Sequence, residues 1–232
     1  MALSNPLDIS ITLNEPVSAP TQTQPKEAAK QPEAAAPSVF SIAYWQEYFD
    51  VTENEIVSKV KASLNPLTSD FERLIEQKVD LYGPLWVCFT AFSTMVMVPH
   101  CWRLVSTNQS TFDIQDIALA LEFVFGAVLV FVAGFVLLNK CFGANVEVIR
   151  ATAVYGYSFS VFVVAALGTL LPFHWIRFFF TFGAGVHSTL FLLRNFRSIL
   201  EVQQNQTKMT SVMFIAGLQF LLTCLMYFFY LK

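Results

Sequence analysis

Charge is scarce in this sequence. Asp, Glu, Lys and Arg make up 13% of it, against roughly 25% in a typical soluble domain. The net charge is −3, so no basic field invites nucleic acid as a partner. Cysteine is scarce as well. Cys88, Cys101, Cys141 and Cys224 include no CxxC pair and no metal-site spacing, and they give no disulfide framework. Neither metal nor cofactor is expected. No cleavable leader is expected either: the N-terminus has no basic segment followed by an apolar core. The first long apolar run must then serve as its own insertion signal.

Catalytic groups are equally thin. Gly156-Tyr157-Ser158-Phe159-Ser160 resembles part of a nucleophile elbow, with His187 further on. The second glycine of the elbow is absent, and the serine falls in a helical run rather than a strand–turn–helix. No catalytic residue is expected, and the chain reads as a non-enzyme. His187 lies in the middle of an apolar run, where it is either functional or a hydrogen-bonding bridge between helices.

What the sequence has in abundance is apolar surface. Hydrophobic residues reach 55%, with 24 Phe, and after Leu81 they gather into long runs. A helix needs about 20 mostly apolar residues to cross a hydrocarbon core. Five stretches meet this: about 85–104, 118–138, 152–171, 175–193 and 212–231. Water is absent at that depth, so helix is the conformation that satisfies the backbone. The fold class is an all-α membrane protein with a five-helix transmembrane bundle over residues 83–232. Pro99 is expected to kink or end the first run. Pro172, Phe173 and His174 read as a tight hairpin between the third and fourth. Small residues recur every four positions (Thr152, Gly156, Ser160; Thr181, Gly185; Ala184, Ser188), which predicts a close antiparallel pair of those helices.

The residues before the bundle divide in two. Positions 1–38 carry Pro6, Pro16, Pro20, Pro25, Pro32 and Pro37 among Gln, Thr and Ala, and read as a disordered tail. Positions 39–82 are different. Phe40, Tyr44, Trp45, Tyr48 and Phe49 cluster, suiting a membrane-interface anchor. Thr52 with Glu55, and Ser69 with Glu72, have capping-box spacing. Two short amphipathic helices are therefore predicted, with apolar faces that need a cover: lipid, a partner or, as preferred, the bundle itself.

Orientation follows from Lys and Arg near the membrane. With the N-terminus cytosolic, the cytosolic side holds Arg73, Lys78, Lys140, Arg150, Arg194, Arg197 and Lys208. The far side holds Arg103, Arg177 and Lys232. Seven against three favours this arrangement, with a luminal C-terminus. Asn108-Gln109-Ser110 then lies luminal and Asn205-Gln206-Thr207 cytosolic, making Asn108 the possible glycosylation site. Cys141, after Lys140 at a cytosolic helix end, is a possible palmitoylation site.

Asp80-Leu81-Tyr82-Gly83-Pro84 stands directly before the first run, followed by Trp86. The third run contains Tyr155-Gly156-Tyr157-Ser158, and Tyr44-Trp45-Gln46-Glu47-Tyr48-Phe49-Asp50-Val51 lies upstream. These segments, in this order, resemble the Yip domain family, named for interaction with Ypt/Rab GTPases, and most of all the branch of its members one and two. The resemblance runs from about Phe40 to the end of the chain. It implies a five-helix Golgi membrane protein with a cytosolic N-terminus, found also in ER–Golgi vesicles or late endosomes. It further implies an adaptor of vesicle-mediated transport whose partners are prenylated Rab-type GTPases and other Yip-family proteins, besides the bilayer. The partner-binding or family-motif residues are then Asp80, Leu81, Tyr82, Gly83, Pro84, Trp86, Tyr155, Gly156, Tyr157 and Ser158, and the third-run segment is expected to pack on Tyr82 and Trp86. The alternatives are a small transporter or channel, or a bilayer-shaping protein. Transport is disfavoured because the middle of the membrane offers almost only His187 as an ionisable group.

Overall fold

The computed structural model describes residues 40–107, 113–171, 173–203 and 205–230. The expected tail, Asn108, Pro172 and Lys232 lie outside the described residues. Every regular element among the described residues is helical. Helices α1 (Ile42–Phe49), α2 (Glu53–Ser63) and α3 (Asp70–Gln77) precede the long rods. Helix α4 is Tyr82–Thr107. Helix α5 (Ile114–Leu121) passes through a π-turn over Glu122–Gly126 into α6 (Ala127–Cys141). Helices α7 (Val148–Ser158) and α8 (Ser160–Gly168) form one rod broken at Phe159. Helices α9 (His174–Asn195), α10 (Arg197–Val202) and α11 (Asn205–Tyr230) complete the chain.

Five stretches are long and apolar enough to cross a membrane: Tyr82–Val105, Ile114–Cys141, Val148–Gly168, His174–Asn195 and Asn205–Phe228. The chain is thus a multi-pass membrane protein whose outer faces meet lipid, as exposed Leu129, Phe179 and Phe220 require. The third span is 67% buried and the second only 17%, which puts the third at the centre and the second at the edge. Its stacked core is aromatic. Tyr155 lies flat on Phe131 with centroids 4.0 Å apart, and Phe135 meets Phe196 at 4.5 Å. Such ring pairs add to the area they bury.

Several local expectations change on contact with tertiary structure. Helix α4 does not end at Pro99 but runs on to Thr107; one missing N–H is tolerated where neighbouring helices support the rod. The aromatic cluster forms a helix of its own, α1, so three short helices precede the bundle rather than two. The Thr52–Glu55 capping box is present in both directions. Ser69, by contrast, gives no side-chain cap. Helix α3 is held by packing instead: Phe71 and Ile75, one turn apart, are fully buried, and the Phe71 ring meets Tyr157 at 5.2 Å and Phe191 at 4.8 Å. The bundle therefore covers the apolar face of α3 but only part of that of α2, whose Val57 stays exposed.

The small-residue stripes are also used differently. Gly156 faces Pro84 of the first span, Gly185 faces Thr223 of the fifth, and Gly168 faces Phe180 of the fourth. The third and fourth spans do pack together, but two of these glycines serve other neighbours.

Candidate functional site

The two family-motif segments meet at the end of the bundle where α2 and α3 dock. Asp80 is fully buried, and its carboxylate organises the junction. One oxygen accepts from the Gly83 N–H at 2.9 Å, an orphan donor of the first turn of α4. The same oxygen accepts from the Tyr157 hydroxyl at 3.0 Å, across from the third span. The other oxygen takes Lys59 Nζ of α2. Lys59 is 2% exposed and gives a second hydrogen bond to the Lys78 carbonyl at 2.7 Å. An isolated buried charge is very costly, and this pair is tolerated because each member has further partners.

Close backbone approach completes the joint. A Cβ on Gly83 would stand 1.9 Å from the Tyr157 hydroxyl. A Cβ on Gly156 would stand 2.6 Å from Pro84 Cβ and 3.3 Å from its Cα. Both glycines are therefore needed for space, and the two segments interlock reciprocally. Ser63 of α2 and Ser160 of α8 share a buried hydrogen bond of 2.7 Å one turn further in. Leu81 gives its N–H to the Tyr48 carbonyl at 3.0 Å, tying α1 to the same joint.

The remaining motif residues have separate places. Tyr155 points into the aromatic core. Ser158 turns its hydroxyl back to the Tyr155 carbonyl at 2.6 Å. Tyr82 and Trp86 are 37% and 51% exposed and contact each other at 6.1 Å. The expected packing of the third-span segment on these two rings is thus corrected: Tyr157 reaches past them to Asp80 and Gly83, because the outward face of the first turn of α4 carries Tyr82 and Trp86. Cys141 is exposed at the end of α6.

Beside the Pro84–Gly156 contact lies an apolar groove of about 250 Å³. Pro84, Leu85 and Cys88 line it from the first span, Phe125 and Val128 from the second, Thr152 and Gly156 from the third, with Phe49 and Leu81. Its one hydroxyl, on Thr152, is spent on the Val148 carbonyl at 2.8 Å. The groove can take an aliphatic chain and offers no polar group to anything else. No three His, Cys, Asp or Glu side chains gather among the described residues.

Lys59 is the residue that sequence reasoning missed. A lysine on a short amphipathic helix reads as solvated. The signal that could have found it was its spacing: Lys59 shares its face with Ala62 and Ser63, both buried.

Comparison with known proteins bears on these same segments. The Yip1 domain family matches residues 61–226. A Dictyostelium discoideum protein named Protein YIPF1 homolog is 23% identical over 68% of this chain and 46% of its own length. Protein YIP5 of Schizosaccharomyces pombe is 22% identical over 67% of this chain and 67% of its own. The chain thus spans about half the length of the first of these curated relatives. No solved structure matches.

Proposed function

The chain belongs to the Yip1 domain family, and from that premise we propose that it is a non-enzymatic membrane adaptor of vesicle traffic at the Golgi. In this reading it binds prenylated Rab-type GTPases and other members of its family. The observation that supports it is the apolar groove beside Pro84 and Gly156. A lipid-anchored GTPase must bury its isoprenoid, since exposing that chain to water is unfavourable by about 0.8 kcal/mol per CH₂. The groove offers aliphatic and aromatic walls at the membrane end where α1, α2 and α3 lie.

The test uses the whole chain in lipid nanodiscs and a purified Rab-type GTPase with and without its geranylgeranyl groups. Capture is expected only of the prenylated form, and Val128→Trp, which fills the groove, should weaken it. Equal capture of both forms, or a solute flux carried by the chain in liposomes, would count against the adaptor reading.

The proposed topology places α1–α3 and the groove on the cytosolic side, following the Lys/Arg asymmetry. It also leaves exposed Cys141 within reach of cytosolic palmitoyl transfer. Mass spectrometry checks the topology through the sequons. Asn205 opens α11 and is expected to carry no glycan, whereas Asn108 is the site a luminal transferase can reach. A glycan on Asn205 would invert the topology.

A further inference from the structure

A second cavity, of about 650 Å³, opens between α1, the end of α3 and the start of α7. One wall is aromatic: Tyr44, Trp45 and Tyr48 stand with ring centroids 5.4, 5.7 and 6.4 Å apart. The other polar groups in the lining are Glu47, Glu147, Gln77 and Lys78. Lys78 is already occupied, giving a hydrogen bond to the Asp50 carbonyl and facing Glu55 at 3.9 Å. The next cation, Arg150, faces Glu76 at 3.7 Å. The carboxylates of Glu47 and Glu147 have no ion pair or hydrogen bond among the described residues, so the cleft keeps two unanswered negative charges beside three π faces. Their field is felt locally. The Tyr48 hydroxyl titrates above its ordinary value, chiefly through its hydrogen bond with Tyr44 and partial burial, and then through the charges of Tyr44, Glu47 and Glu147.

The cleft lies beside the apolar groove, lined by neighbouring residues of the same two helices. Val148 lines the cleft and Thr152 the groove, one turn apart on α7. Tyr48 lines the cleft and its neighbour Phe49 the groove. Carboxylates beside aromatic faces suit ammonium and guanidinium groups, which gain both Coulomb and cation–π attraction.

We propose that this acidic, aromatic cleft binds the cationic peptide segment that adjoins the lipid-modified end of the partner. The inference rests on the groove reading above and adds the recognition of the polypeptide to that of the lipid. Groove and cleft then act as two linked sites, and occupancy of one raises the local concentration of ligand at the other.

Three synthetic peptides test it against the full chain in uncharged nanodiscs. One carries six lysines before a geranylgeranylated cysteine, the second has serines for those lysines, and the third has the lysines without the lipid. The lysine lipopeptide should bind about tenfold more tightly than the serine one, a difference of about 1.4 kcal/mol, and the gap should shrink in high salt. Glu47→Gln with Glu147→Gln should abolish the gap and leave the serine lipopeptide unchanged; both residues are exposed, so folding should not be affected. Equal binding of the two lipopeptides, or a gap that survives the double variant, overturns the proposal. So does loss of the gap on adding phosphocholine, which would make the cleft a lipid-headgroup site. If the geranylgeranyl group adds no affinity but the unlipidated lysine peptide binds through Glu47 and Glu147, the cleft stands and the groove reading falls.

Discussion

Replacing Lys59 by methionine is expected to destabilise the protein by about 3–5 kcal/mol, because it leaves the Asp80 carboxylate buried without its cation. Asp80 is fully enclosed, so water cannot replace the ammonium group. For a chain of this size the midpoint of thermal unfolding should fall by the order of 10 °C. Asp80→Asn alone should also destabilise, since Lys59 would then be the unpaired charge. The double variant Lys59→Met with Asp80→Asn should recover most of the loss. The side-chain amide oxygen introduced by Asp80→Asn still accepts from the Gly83 N–H and the Tyr157 hydroxyl, and no buried charge remains. A thermal-unfolding double-mutant cycle in mild detergent reads this coupling directly. Additive losses, or an unchanged Lys59→Met midpoint, would mean that the pair is not buried as described.

The second large effect concerns the glycines of the joint. Gly156→Val should disrupt the contact of the first and third spans, because the obstacle is Pro84 Cα at 3.3 Å as well as its Cβ at 2.6 Å. A backbone cannot rotate away. Gly83→Val should displace the Tyr157 hydroxyl and break its hydrogen bonds to Asp80. Overpacking of this kind costs about 1–3 kcal/mol and sometimes more, and loss of a hydrogen bond to a charged group adds about 1.5–3 kcal/mol. The internal control is Gly217, around which a Cβ would meet nothing within 4 Å; Gly217→Ala should be neutral or mildly stabilising. Co-isolation of the proposed family partners should fall with Gly83→Val and Gly156→Val and persist with Gly217→Ala. Equal behaviour of the three variants would contradict the interlocking described here.

Sequence and structure part at these two places. The five spans were legible because lipid imposes one solution on a long apolar run. The Thr52–Glu55 box was legible because both partners are local. Ser69–Glu72 has the same spacing and makes no such cap, since packing of Phe71 and Ile75 already fixes α3. The aromatic segment suited an interface anchor but did not reveal that it coils into α1, whose eight residues bury no side chain of their own. Lys59 and Asp80 are 21 residues apart, and Asp80 and Tyr157 are 77 apart. No periodicity links such positions. The glycine stripes suggest one helix pair, whereas each glycine's neighbour depends on which helix passes closest. Gln219 gives no sequence signal at all: it is fully buried in the fifth span, a polar residue hidden by the apolar average around it.

The proposed entry of a Rab-type GTPase's isoprenoid into the groove beside Pro84 and Gly156 is tested most directly by one measurement. A GTPase carrying a photoreactive geranylgeranyl group is bound to the whole chain in nanodiscs, irradiated, and the crosslinked residues are mapped by mass spectrometry. Crosslinks are expected to concentrate on Leu85, Cys88, Phe125 and Val128, and to be suppressed by Val128→Trp. Crosslinks spread over the outward-facing Leu129, Phe179 and Phe220, as from a lipid dissolved in the surrounding bilayer, would contradict it.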